Sequence, residues 1–129
     1  MNFKLAELAK FNANSQKIFS EKMPLTCAYK LAKLQKEMAD DIEFYQKKYF
    51  EIIEEYAKRD SNNNLKYSDD GTIVLMEPDK VEEAQTKIKE LNEMEVSLNV
   101  ENFLLELSDF DKDSKMSMED FNAILPFIK

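Results

Sequence analysis

Three aspartates at alternate positions, Asp109, Asp111 and Asp113, with Asp120 eleven places beyond the first, form the one constellation in this chain that resembles a chemical site. Hard cations such as Ca2+ and Mg2+ take several carboxylate and carbonyl oxygens converging from a tight loop, and this spacing is close to that of an EF-hand loop. Two positions depart from the pattern. Ser114 stands where the loop turns on a glycine, and Asp120 replaces the bidentate glutamate that closes it. A register starting at Asp111, within Phe110-Asp111-Lys112-Asp113, leaves the loop two residues short. The competing arrangement is a solvated acidic turn in which Ser117 caps the last helix through a Ser-x-x-Asp pattern with Asp120. Short motifs often match by chance, so a degenerate EF-hand-like site at Asp109, Asp111, Asp113 and Asp120 is the lesser of the two readings.

Catalytic sets are harder still to assemble. The chain has no histidine, which removes the commonest general base and transition-metal ligand. Its single cysteine, Cys27, falls inside a helical apolar pattern, so a buried structural thiol is expected and no internal disulfide can form. With one glycine, Gly71, there is no Gly-rich phosphate loop and no dinucleotide fingerprint. The pairs Asp40-Asp41 and Glu54-Glu55 fall on helix surfaces, where solvation and repulsion are the usual outcome. The expectation is a protein that is not an enzyme and carries no cofactor, a Ca2+ or Mg2+ ion at the aspartates excepted.

The elements that would position these residues are mainly α: a long spine helix, shorter antiparallel helices, and one small β-hairpin. The spine, 24–58, contains no glycine and no internal proline, and Leu31, Leu34, Met38, Ile42, Tyr45, Tyr49, Ile52 and Tyr56 recur every three or four residues. Pro24 suits its first turn, where a missing N–H costs nothing. Phe44, Phe50 and Ile53 widen the stripe beyond a two-stranded coiled-coil seam. Ahead of it, 1–20 reads as a helical segment with Phe3, Leu5, Leu8, Ala9, Ile18 and Phe19, interrupted near Asn12-Ala13-Asn14-Ser15. After it, Asp70-Gly71 inside 65–76 carries the type I′ hairpin signature, with Leu65 opposite Met76 and Tyr67 opposite Val74. A helix over 79–94 places Val81, Ala84, Ile88, Leu91 and Met94 on one stripe. The rest, 95–129, reads as a short strand or extended packing segment over 95–100, a helical turn over 102–108 around Phe103, Leu104 and Leu107, and a final helix over 117–125 that Pro126 ends or disturbs. All of this fits a single domain, 1–129.

Composition sets the class. At 43% hydrophobic and 34% charged, the chain is too apolar to be disordered, and its longest apolar run is far below the roughly twenty residues of a membrane span. No apolar stretch of signal-peptide length opens it, so a cytoplasmic protein is expected. The net charge of −8 is polarised, with +5 over 1–36 and −13 over 37–129. That acidity disfavours direct nucleic-acid binding and points to a protein partner.

The aromatic residues Phe44, Tyr45, Tyr49, Phe50 and Tyr56 concentrate in the second half of the spine. Core packing is their commoner role. The following helix, however, is less than half as long as the spine, so part of this stripe stays uncovered, and these five are the candidate partner-binding residues or a homo-oligomer seam.

The strings Met23-Pro24-Leu25-Thr26-Cys27-Ala28-Tyr29-Lys30-Leu31 and Ile53-Glu54-Glu55-Tyr56-Ala57-Lys58-Arg59-Asp60, the Asp70-Gly71 hairpin, and the closing Ser117-Met118-Glu119-Asp120-Phe121 with Pro126-Phe127-Ile128 resemble short proteins of tailed phages and prophages of low-GC bacteria, the DUF1617-like type. The resemblance spans about 23–128 and brings no functional residues with it. It implies a phage-type accessory protein that binds and inhibits or redirects a host protein, a defence factor for instance. The alternative is a virion component or a head or tail assembly factor, which would locate it in the particle instead of the host cytoplasm.

Overall fold

The seam of the spine folds into one uninterrupted helix. The computed structural model describes residues 1–19, 23–109 and 117–129, with Gln16, Ile18 and Phe19 described in their backbone alone. In chain order its elements are β1 (Asn2–Lys4), α1 (Leu5–Phe19), α2 (Leu25–Tyr56), α3 (Val81–Glu93), β2 (Glu95–Ser97) and α4 (Met118–Ile124). The protein is mainly α with minor β content, as its periodicity predicts. The spine α2 has 32 residues and is about 48 Å long. Pro24 precedes it in an extended conformation and accepts from the Ala28 N–H, and at Ala57 the backbone turns extended again. Cys27, Leu31, Leu34 and Met38 are fully buried, which is the seam performing as read.

At the N-terminus the structure corrects the sequence in two places. Phe3 belongs to a strand, not to a helix: β1 pairs antiparallel with β2, matching Phe3 with Val96, and the buried Phe3 ring stacks 4.7 Å from Phe127. The expected interruption near Asn12-Ala13-Asn14-Ser15 does not occur. Asn14 Nδ2 donates to the Lys10 carbonyl and Ser15 Oγ to the Asn12 carbonyl, so these polar residues bond back along the helix. Ser15 also accepts from Gln35 Nε2 at 2.9 Å, tying α1 to the spine. The Leu5 N–H donates to the Met94 carbonyl, satisfying a first-turn donor of α1 from the β2 side.

Helix α3 runs antiparallel to the spine's second half. Tyr45 Oη donates to Asn92 Oδ1 at 2.6 Å, Lys87 Nζ pairs with Glu55, and Tyr56 Oη donates to Glu83 Oε1 at 2.9 Å, an order that reverses along the two helices. Ala84 and Leu91 are buried, but Met94 is exposed, because the backbone leaves the helix there to enter β2.

Past β2, the expected helical turn over 102–108 is split. Two 3-10 turns, Glu101–Phe103 and Leu107–Asp109, flank Leu105, which is fully buried and bridges Ile128 in parallel. Ser117 caps α4, its Oγ accepting from the Asp120 N–H at 3.1 Å. Helix α4 stops at Ile124, just ahead of Pro126, which sits in a 3-10 turn, Leu125–Phe127, that buries Phe127. One core results, joining Phe3, Leu5, Leu8 and Phe11 to the first half of the spine and to Leu91, Leu98, Val100, Leu105, Ile124 and Phe127.

A separate knob, 57–77, crowns the far end of the spine. Tyr67 faces Val74 as the hairpin reading requires. Its turn, though, is not the two-residue type I′. Ser68 N–H donates to the Ile73 carbonyl and Gly71 N–H to the Ser68 carbonyl, making a four-residue loop in which Gly71 alone takes positive φ, +74°. The Asp70 carboxylate holds it by accepting from Ser68 Oγ, Thr72 Oγ1 and the Thr72 N–H. Nor do Leu65 and Met76 pair with each other: they bridge Arg59 and Ala57, in the chain leaving the spine. The Lys58 N–H donates to the Leu75 carbonyl, Leu75 to Lys66, and Lys66 back to Lys58, closing a ring of three backbone hydrogen bonds.

Candidate functional site

Of the four aspartates proposed as cation ligands, Asp111 and Asp113 lie outside the described residues. Asp109 is engaged by the protein itself. Its Oδ2 accepts from Lys30 Nζ and from the Glu106 N–H, both at 2.8 Å, so it joins the spine to the Leu107–Asp109 turn. Burial works to raise its pKa, but the Lys30 ammonium and the Glu106 N–H outweigh it and leave the carboxyl below its ordinary value. Lys30 is correspondingly held above its usual value by the hydrogen bond to Asp109. Asp120 sits in the first turn of α4, its N–H capped by Ser117. Among the described residues no group of three or more His, Cys, Asp or Glu side chains gathers as metal ligands do. Cys27 is a free, wholly buried thiol, and burial pushes its pKa up, which is the inert environment expected of it.

The five aromatic candidates do not form one surface. At about 100° per residue, Phe44 and Phe50 lie some 120° apart around the spine. Phe44 lies along a groove of about 340 Å³ facing α3, together with Lys48, Ile52, Lys87, Glu90, Leu91 and Met94. Tyr45 is half-buried, packed on the core and bonded to Asn92. Tyr56, 4% exposed and bonded to Glu83, is removed from the candidate set, because α3 and the knob cover the end of the seam that the shortness of α3 was expected to leave open. Its ring also lies under Lys87 Nζ, 5.1 Å from the centroid. Phe44, Tyr49 and Phe50 remain, 41%, 39% and 53% exposed.

Sequence reasoning missed what lies beside Tyr49. The outward apolar residues of the knob, Tyr67, Ile73 and Leu75, are exposed as well, Ile73 at 63%. A groove of about 380 Å³ runs between spine and knob, with Tyr49 and Ile53 on one wall and Thr72, Ile73, Val74 and Met76 on the other. The hairpin motif did carry the signal: alternation gives one apolar face to bury, yet 72–76 is apolar at both parities from Ile73 to Met76, so some of its side chains must remain outside. What this arrangement can do is bind apolar groups. No described helix is long and apolar enough to cross a membrane. No family model, no curated protein sequence and no solved structure matches the chain.

Proposed function

We propose that this chain acts without catalysis, by binding another protein through the far end of its spine, and that the bound partner is a host protein which it inhibits or redirects. The observation that carries this reading is the set of exposed large apolar side chains on the far half of the spine and on the knob, Tyr49, Phe50, Tyr67, Ile73 and Leu75, of which Tyr49 and Ile73 line one groove. Exposed apolar surface of this sort, rich in tyrosine and phenylalanine, is what interface cores are made of. The resemblance to small phage and prophage proteins supports a host-encoded partner. A second reading, a virion or assembly component, is favoured by the spine itself, a single helix of 32 residues.

Affinity purification of tagged protein from a low-GC bacterial lysate, read by mass spectrometry, tests the choice. The host-binding reading expects a monomeric bait that retains one defined host protein, and loses it on Phe50→Asp with Ile73→Asp. Ring-forming oligomers, or recovery of the chain in purified particles, would replace it with the assembly role.

A further inference from the structure

The knob leaves its strand edges open at Leu65 and Tyr67 and at Val74 and Met76, and the second of these borders the groove. In an extended segment the N–H and C=O of one residue point to the same side, and those of its neighbours to the other. Leu75 spends both on the knob, donating to Lys66 and accepting from Lys58. Val74 and Met76 therefore present theirs on the opposite side, where neither residue's N–H nor C=O meets a partner among the described residues. Both residues also line the 380 Å³ groove whose other wall is Tyr49 and Ile53 of α2. An edge strand facing a helix across an apolar groove is the arrangement in which peptides are bound by strand addition.

Resting on the protein-binding reading above, we infer that this groove takes an extended segment of the partner, which adds as a strand along 74–76 and sets alternate apolar side chains against Tyr49 and Ile53. The open backbone groups choose the occupant's conformation. A helix has its own N–H and C=O paired internally and cannot supply them, whereas an extended chain supplies one pair at every second residue. Charge chooses nothing further, since the knob carries Lys58, Arg59 and Lys66 against Asp60, Asp69, Asp70 and Glu77 and is nearly neutral within a chain of net −8. The open edge over 74–76 spans about 10 Å, enough for some three residues of partner.

A library of linear peptides panned on the immobilised full chain supplies the probe, and synthetic versions of the enriched peptides are titrated against the chain in solution. Enriched sequences are expected to alternate apolar residues, and their binding to slow amide exchange at Val74 and Met76. Val74→Pro, which removes one donor, is expected to weaken them about threefold to tenfold, and Ile53→Glu to weaken them as well. The distant Leu25→Ala should leave them unchanged. Absence of enrichment, enrichment of helix-forming peptides, protection confined to other amides, or equal binding by both groove variants would overturn the inference. If Val74→Pro does not fold, Ile53→Glu and the amide readout on the unmodified chain decide. A lysate partner retained equally by wild type and both variants would leave the protein-binding reading standing and remove this one.

Discussion

The two halves of the spine carry the same stripe and meet different fates. Over 27–42 the side chains Cys27, Leu31, Leu34, Met38 and Ile42 are buried under α1, the C-terminal turns and the end of α3. Over 45–56 the stripe continues in register, yet Tyr49 is exposed and Tyr56 is buried, with Glu83 and Lys87 of α3 as its partners. Periodicity thus fixes which way a residue points, while coverage depends on what other segments reach it.

Substitutions at the closed end should be the costliest. Phe127→Ala removes a ring stacked on Phe3 and packed 4.8 Å from Phe11, and is expected to lower stability by about 3–5 kcal/mol in a denaturant titration. A loss under about 1 kcal/mol would mean that the two ends are not so different. At the open end, Gly71→Ala should cost about 1–2 kcal/mol, from its φ of +74° alone, because an added Cβ meets nothing within 4 Å. Asparagine at that position should recover part of the loss. Ser117→Ala removes the cap of the seven-residue α4 and is expected to cost about 1 kcal/mol.

The Lys30–Asp109 pair gives the closed end a pH signature. Asp109's folded pKa is depressed, so its contribution is present above the ordinary carboxyl pKa of about 3.9 and is lost as pH falls through the lower folded value. Lys30 is raised, so its share holds below about pH 10.4 and fades above that. Stability against pH should therefore show an acid shoulder that Asp109→Asn flattens; an unchanged profile would show that the pair contributes nothing. Smallest of all, Tyr49→Ala should change stability by no more than about 0.5 kcal/mol while reducing partner or peptide binding, the separation expected of an exposed binding side chain. A large stability loss there would place Tyr49 in the core instead.

Several features were legible beforehand because their causes are local. The spine follows from unbroken helical spacing, the start of α4 from Ser117 three residues before Asp120, and the strand β2 from the alternation after Met94. The misread features have remote causes. Phe3 is in a strand because Val96, ninety-three residues on, offers it a partner. Helix α1 continues past Asn14 and Ser15 because its own carbonyls and Gln35 satisfy them. The hairpin turn lengthened because Asp70 gains three hydrogen bonds by accepting from Ser68 and Thr72, while the ends of the segment are captured by the chain leaving the spine.

By itself, then, the sequence determined a mainly helical chain with a long spine and one buried thiol, because helix periodicity and composition act at short range. Only the tertiary structure decided that the aromatic stripe divides. Tyr56 goes inside, Phe44 and Phe50 go to separate flanks, and Tyr49 joins Ile53 and the open edge at Val74 and Met76 to form a groove. Which part of an apolar stripe stays uncovered depends on where the other segments end in space, and no local spacing encodes that.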